Sequence, residues 1–189
     1  QSVEMAYEHP HSKSWAWSIS IFQNRYENMI DFVYAIPVEA INRDGITGIG
    51  LEYQIKWEPI EKFMITGNYA YLDMTDQNGG PILYRSKHCG KLNLYYETSL
   101  INMQLGIQTW SKKIFEDFLS PYQIEDGEII FPLRELPATT IPELILSREI
   151  DTITGIMHIT NLFDADYKLI QDFPMPGRTW QFSLTKTIN

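Results

Sequence analysis

The amino-acid sequence predicts an all-β fold, an antiparallel transmembrane β-barrel to which this chain contributes about nine strands. Three observations support this prediction. Segment after segment alternates apolar and polar residues with a period of two, which is typical of strands whose two faces meet different surroundings. The connections between these segments alternate between short and long. The polar face consists largely of Ser, Thr, Gln, Asn and Gly, as expected for a wet barrel interior.

The alternation places the strands one after another along the chain. The clearest strand has five large side chains on one face: Ile49, Leu51, Tyr53, Ile55 and Trp57. In this strand and in 101–108 we expect Leu51, Ile55, Leu105 and Ile107 to face lipid, and Glu52, Gln54, Asn102 and Gln104 to face the lumen. In chain order, the predicted strands are 1–8, 14–21, 48–57, 63–72, 91–97, 101–108, about 140–149, about 154–163 and 179–188.

The seventh of these strands does not define its own orientation. Leu144 and Leu146 share one face with Arg148, whereas Ile145 shares the other face with Glu143. Either face is therefore compatible with the apolar side of a barrel.

The connections predict which end of the barrel carries the loops. Soluble meanders favour short hairpins at both ends, whereas outer-membrane barrels combine short periplasmic turns with long extracellular loops. We therefore expect the long connections to face the cell exterior. The short connections lie at about 9–13, 58–62, 98–100 and 150–153, and the long ones at about 28–46, 74–87, 112–139 and 164–176.

Strand length and aromatic residues also favour a membrane. Strands of about ten residues match the span of a tilted strand across ~30 Å of hydrocarbon. Amphipathic aromatic rings favour the membrane interface, and several of them lie near predicted strand ends: Trp15, Trp17, Trp57, Tyr69, Tyr71 and Trp180.

The composition excludes several classes of partner. A chain of 189 residues with 44% hydrophobic residues is expected to fold, and its net charge of −9 argues against nucleic acid as a partner. Cys89, on the predicted lumen face, cannot close an internal disulfide, and the four histidines show no metal-ligand spacing. No apolar window is long enough for a membrane helix. The first residues already alternate as a strand and lack a signal peptide, so we expect the chain to be part of a longer protein.

The sequence predicts neither an enzyme site nor a cofactor. The acidic residues near 52–61 and 116–128 are expected to be solvated charges, because catalytic carboxylates need a fixed separation and a desolvated pocket. His9 and His11 lie in a predicted short turn, where a solvated pair is the ordinary interpretation. Asn78-Gly79-Gly80-Pro81 has the chemistry of a turn and does not predict a phosphate cradle.

Candidate ligand-binding residues lie in the long loops. Aromatic side chains and arginine favour recognition, because they supply a large contact area and directional donors. The alternative is that these side chains pack the loops on one another. The candidates are Tyr34 in the first loop, Tyr84 and Arg85 in the second, and Phe115, Phe118, Tyr122 and Phe131 in the third.

The C-terminal residues resemble a known family. Asn161-Leu162-Phe163-Asp164 is followed by Tyr167, then by Pro174, Pro176-Gly177-Arg178 and a last two-faced strand. This arrangement resembles the end of TonB-dependent outer-membrane receptors, whose penultimate strand ends in an NLFD-x-x-Y motif and whose last strand begins at a PGR-like turn. Weaker similarities to the same family occur at Gly50-Leu51-Glu52, Asn68-Tyr69-Ala70-Tyr71-Leu72-Asp73 and Tyr84-Arg85-x-x-His88.

The resemblance implies a specific architecture and function. The fold would be a barrel of about 22 strands in the bacterial outer membrane, plugged by an N-terminal domain, and residues 1–189 would supply its C-terminal part. The protein would import a bulky scarce nutrient, such as a ferric siderophore, with energy passed by the TonB–ExbB–ExbD complex through the plug. Its other partners would be outer-membrane lipid and the barrel assembly machinery. The motif residues would be structural.

The end of the chain departs from the family pattern. The family usually ends in an aromatic residue, whereas Ile188 occupies that register here and Asn189 follows it. The assembly machinery would therefore recognise a weaker signal, or one that depends on Trp180, Phe182 and Leu184.

Two other functions are compatible with the alternation alone: a passive porin or another outer-membrane barrel, and a soluble β-rich binding domain. Within the receptor family the sequence is compatible with a ferric siderophore, haem, cobalamin, an oligosaccharide or another metal complex as the ligand.

Overall fold

The computed structural model describes residues 1–9, 14–33, 39–43, 45–125 and 128–187. In this part of the chain every regular element is a β-strand. In chain order the strands are β1 (Ser2–His9), β2 (Trp15–Tyr26), β3 (Met29–Val33), β4 (Glu39–Arg43), β5 (Ile46–Ile60), β6 (Phe63–Thr75), β7 (His88–Glu97), β8 (Asn102–Trp110), β9 (Lys113–Glu116), β10 (Gln123–Glu125), β11 (Glu128–Ile130), β12 (Leu133–Leu136), β13 (Thr139–Ile150), β14 (Ile153–Thr160), β15 (Lys168–Ile170), β16 (Phe173–Pro174) and β17 (Thr179–Lys186).

A membrane-spanning helix is not found: none of the described residues forms a helix that is both long and apolar enough.

Nine long strands form one antiparallel sheet, which confirms the predicted fold class of a partial barrel. Their order is β1-β2-β5-β6-β7-β8-β13-β14-β17, so each long strand pairs with the long strands before and after it along the chain. Several strands extend further than predicted toward the long loops, as β2 and β5 do. The predicted strand 154–163 is too long, because the chain turns at Asn161, whose φ is 51°.

One face of the sheet is continuously apolar across strands. In an antiparallel pair, directly opposed residues share a face, and the pairing sets Trp15 against Trp57 and Ile21 against Leu51. The pairing of β13 with β8 sets Leu144 opposite Leu105, and this contact determines the orientation that the local alternation left open. Leu144, Leu146 and Arg148 therefore share the apolar face, and Ile145 and Glu143 lie on the polar face.

Neither face of this sheet is covered by a second sheet in the described residues. The long strands pack side by side on their neighbours, and many large apolar residues are exposed, including Met5, Phe182 and Leu184. A soluble β-sandwich would bury such residues between its two sheets. The sheet therefore needs a cover for its apolar face that this part of the chain does not provide.

Short turns and long loops lie at opposite ends of the sheet, as predicted. The end with short turns has its tightest connections at Glu61–Lys62 and Asp151–Thr152, where Lys62 and Asp151 have positive φ. His9 lies at the end of β1 rather than in the predicted turn, and its ring stacks on Trp17 at 5.9 Å; His11 lies outside the described residues.

The long loops contain folded hairpins that the sequence pattern did not predict. In the third loop β9 pairs with β12 and β10 with β11, and in the fourth loop β15 pairs with β16. The end of the sheet that carries these hairpins is called the loop rim below. Two buried hydrophobic side chains, Phe115 and Leu136, belong to the hairpin of β9 and β12. The loops therefore have packing of their own.

Candidate functional site

A cleft of about 800 Å³ opens at the loop rim and is here called the loop cleft. It is formed by three segments that are far apart in the sequence. Leu83–Arg85 comes from the second long loop, Lys113 and Glu116–Leu119 from the third, and Leu169–Phe173 from the fourth. A cleft of this size is within the range of small-molecule binding sites.

Hydrogen bonds join the three loops at the cleft. The Tyr84 N–H donates to the carbonyl oxygen of Ile114 at 2.8 Å, which fastens the second loop to β9. The Lys113 ammonium donates to the carbonyl oxygen of Leu169 at 3.1 Å, which fastens β9 to the fourth loop. Because Lys113 is also paired with Leu136 across the β9–β12 hairpin, the cleft walls are tied to a regular element.

Tyr84 has an unusual backbone conformation at the edge of the cleft. Its φ is 58°, a region that bulky residues rarely adopt. Its ring packs against that of Phe115 with a centroid distance of 6.1 Å, and Phe115 is only 3% exposed. Such a conformation persists only where surrounding contacts hold it, and it occurs often at ligand-binding positions.

The charged groups of the cleft differ in how they are paired. Asp117 accepts a bond from the Ser120 hydroxyl at 2.6 Å and lies 2.6 Å from Arg134 Nε. The Ser120 hydrogen bond, with help from the Leu119 N–H and Arg134, lowers the pKa of Asp117, so this carboxyl group is ionised at neutral pH. Burial lowers the pKa of the Lys113 ammonium.

Arg85 differs from Lys112 and Lys87, two other cations at the loop rim. Its side chain is exposed, and it forms no ion pair with any carboxylate that the structure describes. By contrast, Lys112 pairs with Glu135 at 2.6 Å and Lys87 with Asp73 at 2.7 Å. The hydrogen bond that the Lys87 ammonium donates to the Asp73 carboxylate raises the pKa of Lys87.

Three aromatic candidates of the third loop stack on one another beside the cleft. The rings of Phe118 and Phe131 meet edge to face at 4.8 Å, and Tyr122 meets Phe131 at 5.9 Å. Phe118 also lines the cleft, so this cluster forms one of its walls.

The predicted ligand-binding residues thus occupy three kinds of position. Tyr84, Arg85 and Phe118 line the cleft, Phe115 lies beneath Tyr84, and Tyr122 and Phe131 support Phe118. Tyr34 lies outside the described residues. The sequence reasoning missed Lys113 and the fourth loop, although Ile170 and Phe173 in a predicted loop were a usable signal, because such residues seldom stay uncovered.

The C-terminal motif closes the fourth loop. Asn161 is 2% exposed, and its side-chain oxygen accepts a bond from the Ala165 N–H at 2.9 Å. Its side-chain nitrogen donates to the carbonyl oxygens of Ala165 and Pro176 at 2.8 and 3.3 Å. Asp164 accepts a bond from the Arg178 N–H at 2.6 Å. These bonds, here called the loop clasp, join the two ends of the loop where β14 and β17 begin to pair.

The remaining motif residues surround the clasp. Leu162 donates its N–H to the carbonyl oxygen of Pro142 at 2.9 Å, and the carbonyl oxygen of Tyr167 accepts a bond from Met175. A Cβ atom on Gly177 would lie 2.7 Å from Asp164 Oδ1, so a larger residue would disturb the clasp. Phe163 is exposed. None of these motif residues lines the loop cleft.

Three charged or titratable side chains form a cluster on the polar face of the sheet. Glu143 on β13 lies 3.1 Å from Lys91 Nζ on β7 and 3.0 Å from His158 Nε2 on β14. Between Lys91 and Glu143 runs β8, where Gly106 leaves room: a Cβ atom there would lie 2.6 Å from Glu143 Oε1. Cys89 lies on the same face as Lys91. No group of three or more potential metal-ligating side chains is found in the described ranges.

Solved structures share this fold over nearly the whole chain. The pyoverdine outer membrane receptor FpvA from Pseudomonas aeruginosa matches with a TM-score of 0.77 and 14% identity over 99% of this chain. The ferric-catecholate import receptor Fiu from E. coli K12 gives 0.71 and 17% over 97%, and the FrpB iron transporter from Neisseria meningitidis gives 0.72 and 11% over 97%.

This chain spans less than a third of the length of those structures. It covers 29% of the FpvA chain, 27% of the Fiu chain and 30% of the FrpB chain. No protein-family model matches the chain, and no curated protein matches its sequence. At these identities the similarity concerns the fold alone.

Proposed function

We propose that this chain, whose fold is that of the TonB-dependent receptor barrels, is the C-terminal part of such a barrel over residues 1–189. The whole protein would be a receptor and active transporter in the bacterial outer membrane. It would import a bulky scarce nutrient, a ferric siderophore or a similar metal complex, with energy supplied through TonB. The similar structures bear names of receptors and transporters, and the proposal includes no enzymatic activity.

The observation that carries this proposal is a sheet with two unlike faces beneath a loop cleft. The apolar face would contact outer-membrane lipid, and the polar face with Lys91 and Glu143 would line the lumen. The cleft lies at the end of the sheet that carries the long loops, which in such barrels faces the cell exterior. A ligand arriving from outside would therefore meet the cleft before the lumen.

The remaining partners follow from the same proposal. The TonB–ExbB–ExbD complex would act through a plug domain supplied by another part of the protein, and the barrel assembly machinery would insert the strands. The net charge of −9 continues to argue against nucleic acid as a partner.

Growth on defined iron complexes tests the proposed function. A strain that lacks the gene should grow more slowly than its parent on at least one ferric chelate supplied as the sole iron source. Expression of the full-length protein should restore growth only in cells that contain TonB. Restoration without TonB would indicate a passive porin, and equal growth of both strains on every ferric chelate of the panel would contradict iron-complex import.

Replacement of the third loop's tip should weaken ligand capture without unfolding the barrel. We expect a variant with 118–131 replaced by Asn-Gly to lose tenfold or more in affinity for the chelate identified by growth, because Phe118 and its aromatic support are gone. The sheet should persist, because surface loops tolerate changes in length. Binding is measured on the purified full-length protein, and heat-modifiable gel mobility reports folding. A folded variant with unchanged affinity would exclude this loop from capture.

A further inference from the structure

We propose that a second, apolar cavity at the loop rim, here called the rim cavity, binds a phosphorylated acyl lipid of the outer leaflet. One acyl chain enters the cavity, and basic side chains at its surface bind the phosphate. This site goes beyond nutrient import, and it rests on the proposed function only for the orientation of the barrel in the membrane.

The rim cavity has a volume of about 230 Å³ and lies where the second long loop folds against the sheet. The Ile82 N–H donates to the carbonyl oxygen of Met74 at 3.3 Å, which holds the loop beside the end of β6. Apolar cavities of about 150 Å³ already accept small apolar molecules, so this one has room for part of an acyl chain. Its apolar lining consists of Leu72 and Met74 from β6, Pro81 and Ile82 from the second loop, and Ile114 from β9.

The residues that line the rim cavity differ systematically in exposure. The apolar ones are half-buried, and so is Asp73, the one carboxylate that lines the cavity in the described part of the chain. Apolar residues inside and basic residues at the surface fit an amphiphile with an anionic group at one end of an apolar chain. The exposed residues among the described lining are all basic: Arg85, Lys87, His88 and Lys112.

The charge around the rim cavity is positive even when ion pairs are counted. Lys87 pairs with Asp73 at 2.7 Å, and Lys112 pairs at 2.6 Å with Glu135, which does not line the cavity. Arg85 forms no ion pair with a described carboxylate, so three cations meet two carboxylates. Exposed ion pairs are weak, and a phosphate offers the same cations several charge-assisted hydrogen bonds. The cavity surface therefore favours an anionic headgroup.

The rim cavity adjoins the face that meets lipid in the proposed orientation. Asp73 opposes Ile49, and Tyr71 opposes Leu51, so Asp73 and Tyr71 share the apolar face. His88 opposes Tyr71 and lies on that face as well, at its loop-rim end. In a barrel whose long loops face the cell exterior, this end lies at the level of the outer-leaflet headgroups. A lipid beside the barrel can therefore reach both the cations and the cavity without leaving its leaflet.

Binding of lipid A with and without its phosphates tests the proposal. The full-length protein, purified in a nonionic detergent and freed of co-purified lipid, is titrated with each lipid, and native mass spectrometry counts the bound molecules. The wild-type protein should bind one diphosphoryl lipid A at least tenfold more tightly than the dephosphorylated lipid. Inorganic phosphate at the same concentrations should not displace the lipid, because phosphate has no acyl chain to bury.

Lys87→Gln is the diagnostic variant, and Lys168→Gln is its matched control. Each substitution removes one positive charge from a loop-rim lysine that lies beside an aspartate, Asp73 for Lys87 and Asp172 for Lys168. Lys168 does not line the rim cavity. Lys87→Gln should lower affinity for diphosphoryl lipid A about tenfold, as expected for the loss of one charge-assisted hydrogen bond, and leave the dephosphorylated lipid unaffected. Lys168→Gln should change neither affinity.

Ile82→Gln tests the acyl-chain part of the site. An amide in the apolar lining should lower affinity for both lipids, about tenfold for diphosphoryl lipid A, because the chain would bury an unpaired polar group. Heat-modifiable gel mobility reports the folding of each variant. Lys87 is exposed, so Lys87→Gln should fold and decides the question even if Ile82→Gln does not fold.

Equal affinity of the wild-type protein for the two lipids would overturn the site, since it would indicate unspecific apolar contact. Displacement by inorganic phosphate would overturn it as a lipid site, and equal losses in Lys87→Gln and Lys168→Gln would show an effect of overall charge alone. If TonB-dependent growth on a ferric chelate requires the protein but no lipid preference is found, the lipid site is wrong and the proposed function stands. If the lipid preference is found but growth is independent of the protein, the lipid site stands and nutrient import fails.

Discussion

Leu105→Arg is expected to reduce the yield of folded barrel severely, whereas Gln104→Arg should leave it nearly unchanged. Leu105 lies on the apolar face between Leu94 of β7 and Leu144 of β13, and Gln104 is its neighbour on the polar face. An arginine on the lipid face near the midplane costs about 2–4 kcal/mol, whereas an arginine in a wet lumen remains hydrated.

Heat-modifiable gel mobility of membrane fractions measures this difference, with total protein from immunoblots as the reference. The two variants introduce the same side chain at adjacent positions, so a general effect of arginine would act on both. Equal yields from the two variants would show that the apolar face does not meet lipid, and would favour a soluble β-rich domain.

Asn161→Ala should lower the stability of the barrel by about 4–5 kcal/mol. The substitution removes three hydrogen bonds from a side chain that is 2% exposed, and each is worth about 1 kcal/mol. It also places alanine at a φ of 51°, which costs roughly another 1–2 kcal/mol, because only glycine and asparagine-like residues adopt this conformation readily.

The measurement is the temperature at which the purified full-length protein loses its folded gel mobility. Asn78→Ala is the matched control, because Asn78 is an exposed asparagine in another long loop. A fall in the transition temperature for Asn161→Ala but not for Asn78→Ala is expected. The same transition temperature in both variants would mean that the loop clasp does not contribute to stability.

The sheet could be predicted from the sequence because apolar and polar residues alternate along a strand whose two faces have different surroundings. In 48–57 and 101–108 the alternation alone predicts which face is apolar, without knowledge of the neighbouring strand. In the strand with Leu144 and Ile145 the neighbouring strand is needed, because apolar residues occur on both faces there. Its orientation depends on Leu105, which is distant in sequence and opposes Leu144 only in the folded sheet.

The cleft could be predicted only in part, because its geometry depends on contacts between loops. Residue type alone singled out Tyr84, Arg85 and Phe118, which do line it. The same criterion also selected Phe115, which is buried, because an aromatic ring that supports a site and one that faces a ligand look alike in a sequence. The hairpins of the loops are only two to four residues long on each side in β9–β12 and β15–β16, too short for a period of two to be recognised.

The C-terminal motif was identified from its sequence pattern, whereas its physical role depends on hydrogen bonds between residues that are far apart in the sequence. Asn161 reaches Pro176 and Asp164 reaches Arg178 across the whole fourth loop. No local pattern predicts that an asparagine in a polar loop will be almost completely buried.

The absence of a Cβ atom at Gly106 has an evolutionary consequence. A larger residue there would occupy the space through which Glu143 reaches Lys91, with Cγ of Glu143 only 2.7 Å from the added atom. A lineage that acquires alanine or serine at this position must therefore shorten or reorient the residue at 143 as well. Among descendants of a common ancestor, we expect the two positions to change together, with glycine retained wherever the glutamate is retained.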